Sequence, residues 1–360
     1  MKLLTRYTLR TFVRYLMLTT ATFTSLYLLV DFLDKVDDFV ENHAAGDLYF
    51  SYLVALFPGA LTQMMPLATL LAVFLTIGGF NRTAELTAMM AGGVGIWRIV
   101  LPLCLAGMLI SGAVLLSNEF VVPWATRSAN HILRAEVKGK AELFTLRGKI
   151  WFKRENNYIN ARFFNAQEQR LQSVRVFQFD GNSRLIRRID AKSANYLAAE
   201  QTWLLQECTI YRYENNGKNI SHFDEVDKLT FDLGKSVTDL KNVEPKPEEM
   251  TYQQLREFVA RLQAEGFAPG RHRVAMYQHL ATPFASFVMV LLGIPFALKR
   301  GRNSGMGIGI AISVAVAVTY IVVDATAAAL GTTGKVPPFL TVWIANLSFI
   351  VLAIILMFRR

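Results

Sequence analysis

Long uninterrupted apolar runs occupy both ends of the chain, and a region in which apolar and polar residues alternate separates them. An α-helix rises 1.5 Å per residue, so roughly 20 apolar residues cross the ~30 Å hydrocarbon core of a bilayer. The pattern predicts six transmembrane helices, three before residue 120 and three after residue 273. They are Tyr15–Val30, Leu48–Asn81, Ile99–Asn118, Val274–Leu298, Asn303–Val323 and Val336–Phe358.

The central region has the period-two alternation of β-strands. Seven or eight short strands follow Leu143, and turn-forming groups such as Asp180-Gly181-Asn182 separate them. Such a run of strands without helices predicts an antiparallel sandwich or jelly-roll domain. A final helix before the fourth span is predicted to be amphipathic, with one apolar face formed by Leu255, Phe258, Val259 and Leu262.

These elements predict a helical membrane protein with an inserted β-domain. The first three spans occupy residues 1–118 and include a short extramembrane helix at about 81–93. The β-jelly-roll domain and a connecting extension occupy 119–250, the amphipathic helix 251–273, and the last three spans 274–360.

Composition agrees with a membrane protein, because 52% of the residues are apolar and 18% are charged. The formal charge of +10 is distributed unevenly over the short loops. One side carries eleven basic residues, Lys2, Arg6, Arg10, Arg14, Arg82, Arg98, Lys299, Arg300, Arg302, Arg359 and Arg360. The other side carries most of the loop acids, among them Asp31, Asp34, Asp37, Asp38, Glu41 and Asp47. The positive-inside rule then places both termini in the cytoplasm and the β-domain outside, which accounts for the basic charge without nucleic acid.

The sequence carries no recognisable catalytic motif. The string Gly331-Thr-Thr-Gly334-Lys335 lacks the spacing of a P-loop, and the five histidines and two cysteines have no metal-ligand spacing. We therefore expect no enzyme activity, metal or cofactor in this chain. Ionisable residues inside the spans are scarce; Asp324 is interpreted as an interfacial carboxylate, with a proton relay as the alternative.

A short cytoplasmic helix is predicted between the second and third spans. Asn81 and Thr83 provide cap-forming side chains, Glu85 lies in the first turn, and the glycine pair at 92–93 ends the helix. Glu85, Ala88 and Met89 share one face, which would suit a groove in another protein. An interfacial helix that rests on the membrane is the alternative.

The residues of this segment, Arg82-Thr-Ala-Glu-Leu-Thr-Ala-Met-Met-Ala-Gly-Gly, resemble the coupling helix of the lipopolysaccharide-export permeases LptF and LptG. The start Lys2-Leu-Leu-Thr-Arg-Tyr, the late Gly334-Lys-Val-Pro-Pro-Phe and the order of spans and β-domain agree with that family. The start is more similar to LptG than to LptF.

The resemblance implies a transport subunit of the bacterial inner membrane. Its expected partners are a second, LptF-type permease, an LptB-type ATPase dimer, a single-span LptC-type protein, an LptA-type bridge and lipopolysaccharide. The residues implied to engage the ATPase are Arg82, Glu85, Leu86, Met89, Ala91 and Gly93.

Basic residues near the outer leaflet are candidates for binding lipopolysaccharide phosphates. Arg127, Arg134 and Lys138 fall at i, i+7 and i+11 on an extension of the third span, where a solvated charged face is the alternative. The family often has lysines at the outer end of the first span, where this sequence is acidic and retains Lys35.

Two other classes of function compete with the permease interpretation. A membrane-anchored scaffold would use the β-domain to recruit envelope proteins, and its spans would pack without a cavity. A secondary transporter is disfavoured by the scarcity of ionisable residues in the spans.

Overall fold

The computed structural model describes residues 2–137, 144–146, 149–165, 169–181, 184–197, 202–214, 219–234, 246–264, 269–299 and 306–358. The chain forms two compact units. One comprises Met1–Gly139 and Pro247–Arg360, and the other is Lys140–Lys246. The connecting extension that we predicted as part of the β-domain therefore belongs to the helical unit.

Six helices of the first unit are long and apolar enough to cross a membrane, which confirms the predicted fold class. These are α1 (Lys2–Glu41), α2 (Gly46–Arg82), α4 (Trp97–Phe120), α7 (Gly270–Lys299), α8 (Met306–Thr332) and α9 (Pro338–Phe358). Shorter helices are α3 (Glu85–Ala91), α5 (Val122–His131) and α6 (Tyr252–Ala264), with a π-helix at Ile132–Val137 and a 3-10 turn at Pro247–Glu249.

Helix α1 is much longer than the apolar run that predicted it. It has 40 residues, so it extends roughly 60 Å and passes well beyond the hydrocarbon at its ends. Apolar periodicity detects only the part of a helix that lies in lipid. The flanking turns are charged but helical, because a charged side chain outside the hydrocarbon does not oppose helix formation.

Helices α2 and α7 are the most buried of the six spans, and the other four pack around them. Polar bonds connect several of these helices. Side chains donate to backbone carbonyls from Thr19 to Ala68 at 3.0 Å, from Thr69 to Ser286 at 3.4 Å, from Ser111 to Pro283 at 2.8 Å and from Asn346 to Ala281 at 2.9 Å. The Tyr320 hydroxyl donates to the Asn346 side chain at 2.8 Å and joins α8 to α9.

Two glycines let neighbouring backbones approach α7 closely. A Cβ added at Gly107 of α4 would lie 2.8 Å from Val290 Cγ2, and one at Gly293 of α7 would lie 3.1 Å from Val73 Cγ1. Small residues at such contacts are typical of helices that associate within lipid.

The second unit is one antiparallel sheet of eight strands within the described residues. The strands are β1 (Phe144–Leu146), β2 (Lys149–Arg154), β3 (Asn157–Ala161), β4 (Phe163–Asn165), β5 (Arg170–Phe179), β6 (Leu185–Leu197), β7 (Thr202–Glu214) and β8 (Asn219–Phe231). Their order is β1-β2-β3-β5-β6-β7-β8, with β4 paired to β5. The inserted antiparallel β-domain is confirmed, and its strand order is that of a meander.

Two residues at diagonally opposite corners of this sheet are in contact, which shows that the sheet is strongly coiled. The residue pairs that begin with Arg154 on β2 lead straight across the sheet to His222 on β8. The two residues are five strands apart, which corresponds to about 24 Å in a flat sheet. Asp232 lies ten residues further, roughly 33 Å along the strand. Arg154 nevertheless forms an ion pair with Asp232 and donates to its backbone carbonyl at 2.8 Å. That guanidinium lowers the pKa of the Asp232 carboxyl.

A crease crosses the coiled sheet. Ser173 on β5 and Glu207 on β7 have positive φ. Both lie opposite Lys192 on β6, and neither forms a regular β-sheet pair with it. The buried residues of β7 change from Trp203 and Leu205 before the crease to Cys208 and Ile210 after it. A single residue with left-handed backbone in β5, and another in β7, thus reverses which side chains of the strand face the core.

We predict that Gly107→Ala will lower the unfolding temperature of the purified chain in detergent. The new methyl group must displace Val290, and overpacking of this kind costs about 1–3 kcal/mol. Gly112→Ala on the same helix is the control, since no atom lies within 4 Å of its added Cβ. Val290→Ala should recover part of the loss in the Gly107→Ala background, and equal behaviour of the two glycine variants would contradict the close packing.

Candidate functional site

The short helix α3 begins after a left-handed turn. Residues 81 and 82 complete α2, and Ala84 has φ +59° and no side-chain cap. We expected Asn81 and Thr83 to cap this helix. The Thr83 hydroxyl instead donates to the Glu85 carboxylate, Oγ1 to Oε1, at 2.8 Å. The backbone turn at Ala84, which has no sequence signature, therefore sets the start of α3.

Helix α3 ends in a Schellman motif. The Gly93 N–H donates to the Met90 carbonyl at 3.0 Å, and the Val94 N–H donates to the Met89 carbonyl at 3.0 Å. Gly93 has φ +79°, which a residue with a Cβ adopts only under strain. The role that the structure supports for Gly93 is to terminate the helix.

One face of α3 is anchored and the other is open. Leu86 is buried against Phe80 of α2 and Ile99 of α4, and Met89 is partly buried in the same cluster. The outward face carries the exposed residues Thr87, Ala88, Met90 and Ala91, with Arg82 and Trp97 exposed beside it. We predicted Met89 and not Met90 for this face, because the sequence does not show how α3 is rotated about its axis against α2 and α4.

The Glu85 carboxylate is held by two elements besides its own helix. Tyr7 of α1 donates from its hydroxyl to Oε2 at 2.9 Å, and Thr83 holds the other oxygen. The Tyr7 ring also stacks on Phe80, with centroids 5.4 Å apart. Glu85 remains partly exposed, so a cation outside this chain can still reach it.

Lys35 is engaged by neighbouring groups at the other end of α1. Its Nζ lies 2.6 Å from Asp31 Oδ1 and 2.6 Å from the Tyr52 hydroxyl. Tyr52 in turn donates to Asp31 Oδ2 at 2.8 Å, which closes a triad between α1 and α2. The lysine charge is therefore largely balanced by Asp31.

Two of the three predicted basic residues of the extension come together around Glu249. Arg134 Nη2 lies 3.6 Å from its carboxylate, and Asn130 donates to the same oxygen at 2.8 Å. Arg127 donates from Nε to the Glu249 backbone carbonyl at 2.6 Å. We call these four residues the Glu249 clasp. Lys138, the third predicted residue, lies outside the described residues.

Helix α6 is fixed beside the clasp by its N-terminus. Thr251 and Gln254 form a capping box, in which the Gln254 N–H donates to Thr251 Oγ1 at 3.3 Å and the Thr251 N–H to Gln254 Oε1 at 3.1 Å. Arg127 donates to the same Gln254 oxygen, and the Glu119 carboxylate of α4 accepts from the Tyr252 N–H at 2.9 Å. The extension of α4 and the segment that leads back to α7 are therefore bound to each other.

We predict that Glu249→Ala will lower the free energy of unfolding of the chain by about 1–3 kcal/mol, because it removes an acceptor from partly buried donors. Glu248→Ala is the matched control. Its carboxylate pairs with Arg271 at 3.4 Å at an exposed position, where an ion pair contributes about 0–1 kcal/mol. Thermal unfolding in detergent measures both, and an equal loss for the two variants would argue against the clasp.

Comparison with known proteins gives a consistent result over almost the whole chain. Residues 6–359 match the family described as lipopolysaccharide export system permease LptF/LptG. The chain is 22% identical over 364 residues to the lipopolysaccharide export system permease protein LptG of Escherichia coli strain K12, covering 99% of this chain and 98% of that protein. It is 20% identical over 306 residues to the LptG protein of Haemophilus influenzae, covering 84% and 83%.

Proposed function

Because this chain belongs to the LptF/LptG family of lipopolysaccharide export permeases, we propose that it is one of two permease subunits of an ATP-driven exporter. The exporter extracts lipopolysaccharide from the inner membrane and passes it to an LptA-type periplasmic bridge of β-domains. A separate LptB-type ATPase dimer supplies the energy, since the sequence has no P-loop. An LptF-type permease and an LptC-type single-span protein complete the assembly.

In this proposal both termini and α3 lie in the cytoplasm, and the inserted β-domain, called the β-unit below, lies in the periplasm. The distribution of loop charges supports the orientation. Arg82 and Arg98 flank α3, whereas Asp31 and Asp47 lie near the turn between α1 and α2. Basic residues in short loops stay on the cytoplasmic side during insertion.

The observation that carries the proposal is the two-sided construction of α3. Its inner face is fixed to α2 and α4 through Leu86, and its outer face presents Met90, Ala91 and the edge of Glu85. A flexible apolar residue beside an acid suits a groove with a basic residue. Closure of the ATPase dimer would then move α3 and, through Leu86, the ends of two spans.

The substrate would meet basic side chains at the outer ends of the spans. Lys35 and Arg134 keep exposed side-chain fractions of 25% and 30%, so a phosphate can reach both. Each already has a carboxylate partner, Asp31 for Lys35 and Glu249 for Arg134. We propose that the lipopolysaccharide phosphates share these cations with the resident acids.

We predict that Glu85→Ala will leave the amount of inserted protein unchanged but will lower copurification of the ATPase. The lost bonds from Tyr7 and Thr83 are exposed and contribute little to folding. Loss of a charge pair inside a groove of the partner costs roughly 2–5 kcal/mol, which lowers the affinity for the ATPase by a factor of about thirty to several thousand.

Glu257→Ala provides the control, because it removes a carboxylate from an exposed position on α6. The same complexes should be tested for ATP-dependent release of lipopolysaccharide from proteoliposomes. Normal copurification and normal release with Glu85→Ala would remove Glu85 from the coupling site. Robust ATP hydrolysis by the isolated chain would refute the role as a transport subunit.

We predict that Arg134→Gln will reduce photocrosslinking of lipopolysaccharide at the extension by about tenfold, because a charge-assisted bond to phosphate is lost. The bonds from Asn130 and Arg127 to Glu249 remain in this variant, so the complex should still assemble. Arg271→Gln is the comparison, since Arg271 is an exposed arginine that also pairs with a glutamate. Equal crosslinking in both variants would assign Arg134 to the clasp alone.

A further inference from the structure

Tyr7 lies 78 positions before Glu85 in the sequence and meets it in the structure. Its hydroxyl donates to Glu85 Oε2 at 2.9 Å, while Thr83 donates to Oε1 at 2.8 Å. Each carboxylate oxygen therefore holds one hydrogen bond from within the chain. A carboxylate accepts about four hydrogen bonds, so capacity remains on both oxygens for an external cation.

Packing fixes the place from which Tyr7 donates. Its ring is stacked on Phe80 with an interplanar angle of 23°. Phe80 is 3% exposed and belongs to the cluster with Leu86 and Ile99 that anchors α3. The hydroxyl of Tyr7 is thus aimed at Glu85 by the same side chains that hold the helix.

We propose that Tyr7 is a positioning residue that acts through Glu85 on the docking of the ATPase, an inference that rests on the proposed function. A glutamate on an exposed helix samples several rotamers, and ordering such a side chain on binding weakens affinity. The hydrogen bonds from Tyr7 and Thr83 restrict the carboxylate before the partner arrives. Tyr7 thereby increases the affinity of the ATPase without contacting it.

The same bond connects α1 to the coupling segment. Helix α3 is attached to α2 by Phe80 and to α4 by Ile99, and Tyr7 adds the first turns of α1. All three spans of the amino-terminal half therefore converge on α3 at this end. A displacement of α3 by the ATPase would be transmitted to α1 through the Tyr7–Glu85 bond and the stacked rings.

The test is a double-mutant cycle on the assembled complex in detergent or nanodiscs. Tyr7→Phe removes the hydroxyl and keeps the ring on Phe80. We expect it to weaken binding of the ATPase subunit to the membrane complex by about threefold to tenfold. In the Glu85→Ala background, Tyr7→Phe should have no further effect on affinity, because its acceptor is absent.

Tyr15→Phe is the matched control. Tyr15 lies two turns along α1, and its hydroxyl makes no hydrogen bond within the part of the chain that the structure describes. Its affinity for the ATPase should equal that of the unmodified complex. Thermal stability of all complexes should be measured alongside, and we expect Tyr7→Phe and Tyr15→Phe to be indistinguishable in that measurement.

Three results would overturn the inference about Tyr7. Unchanged or increased affinity with Tyr7→Phe, while Glu85→Ala weakens binding, would refute positioning by Tyr7 and leave the proposed function intact. An equal loss with Tyr7→Phe in both backgrounds would show that Tyr7 acts independently of Glu85. Unchanged affinity with Glu85→Ala alone would instead refute the coupling site itself, and this inference with it.

Discussion

Close backbone contact around α7 is the constraint on which the helical unit depends. Lipid is as apolar as leucine, so helices in a membrane gain little from burying apolar side chains against each other. Association then depends on dispersion at short range and on polar bonds that lipid cannot replace. Gly107 and Gly293 allow the first, while hydroxyls such as those of Thr19 and Ser111 provide the second.

The sequence predicted the elements of the fold better than their ends. Hydropathy located all six spans, because every long apolar run of this composition has to become a helix in lipid. Hydropathy could not locate the start of α3, which depends on the left-handed backbone of Ala84. It could not locate the crease in the sheet either, since serine and glutamate have no preference for the left-handed conformation that Ser173 and Glu207 adopt there. Both features are determined by packing of neighbouring elements.

The candidate site shows the same division between local and distant information. The pairing of Asp31 with Lys35 follows from their spacing of four on a helix and was open to prediction from the sequence. The partners of Arg127 and Arg134 were not, since Glu249 lies more than a hundred residues away and across the β-unit in the sequence. The exposed face of α3 required the orientation of Leu86, which only the tertiary contacts supply.

The Glu249 clasp has a consequence for how such a protein can change over evolutionary time. It ties the π-helix that ends at Val137 to the 3-10 turn that begins at Pro247, so the chain leaves and re-enters the helical unit at one place. A domain whose two ends lie close together can be inserted without separating the elements on either side of it. The clasp therefore keeps the two attachment points of the inserted domain next to each other on the helical unit. Between Val137 and Pro247, inserted domains of other lengths whose ends lie equally close are therefore compatible with the same packing of the helices.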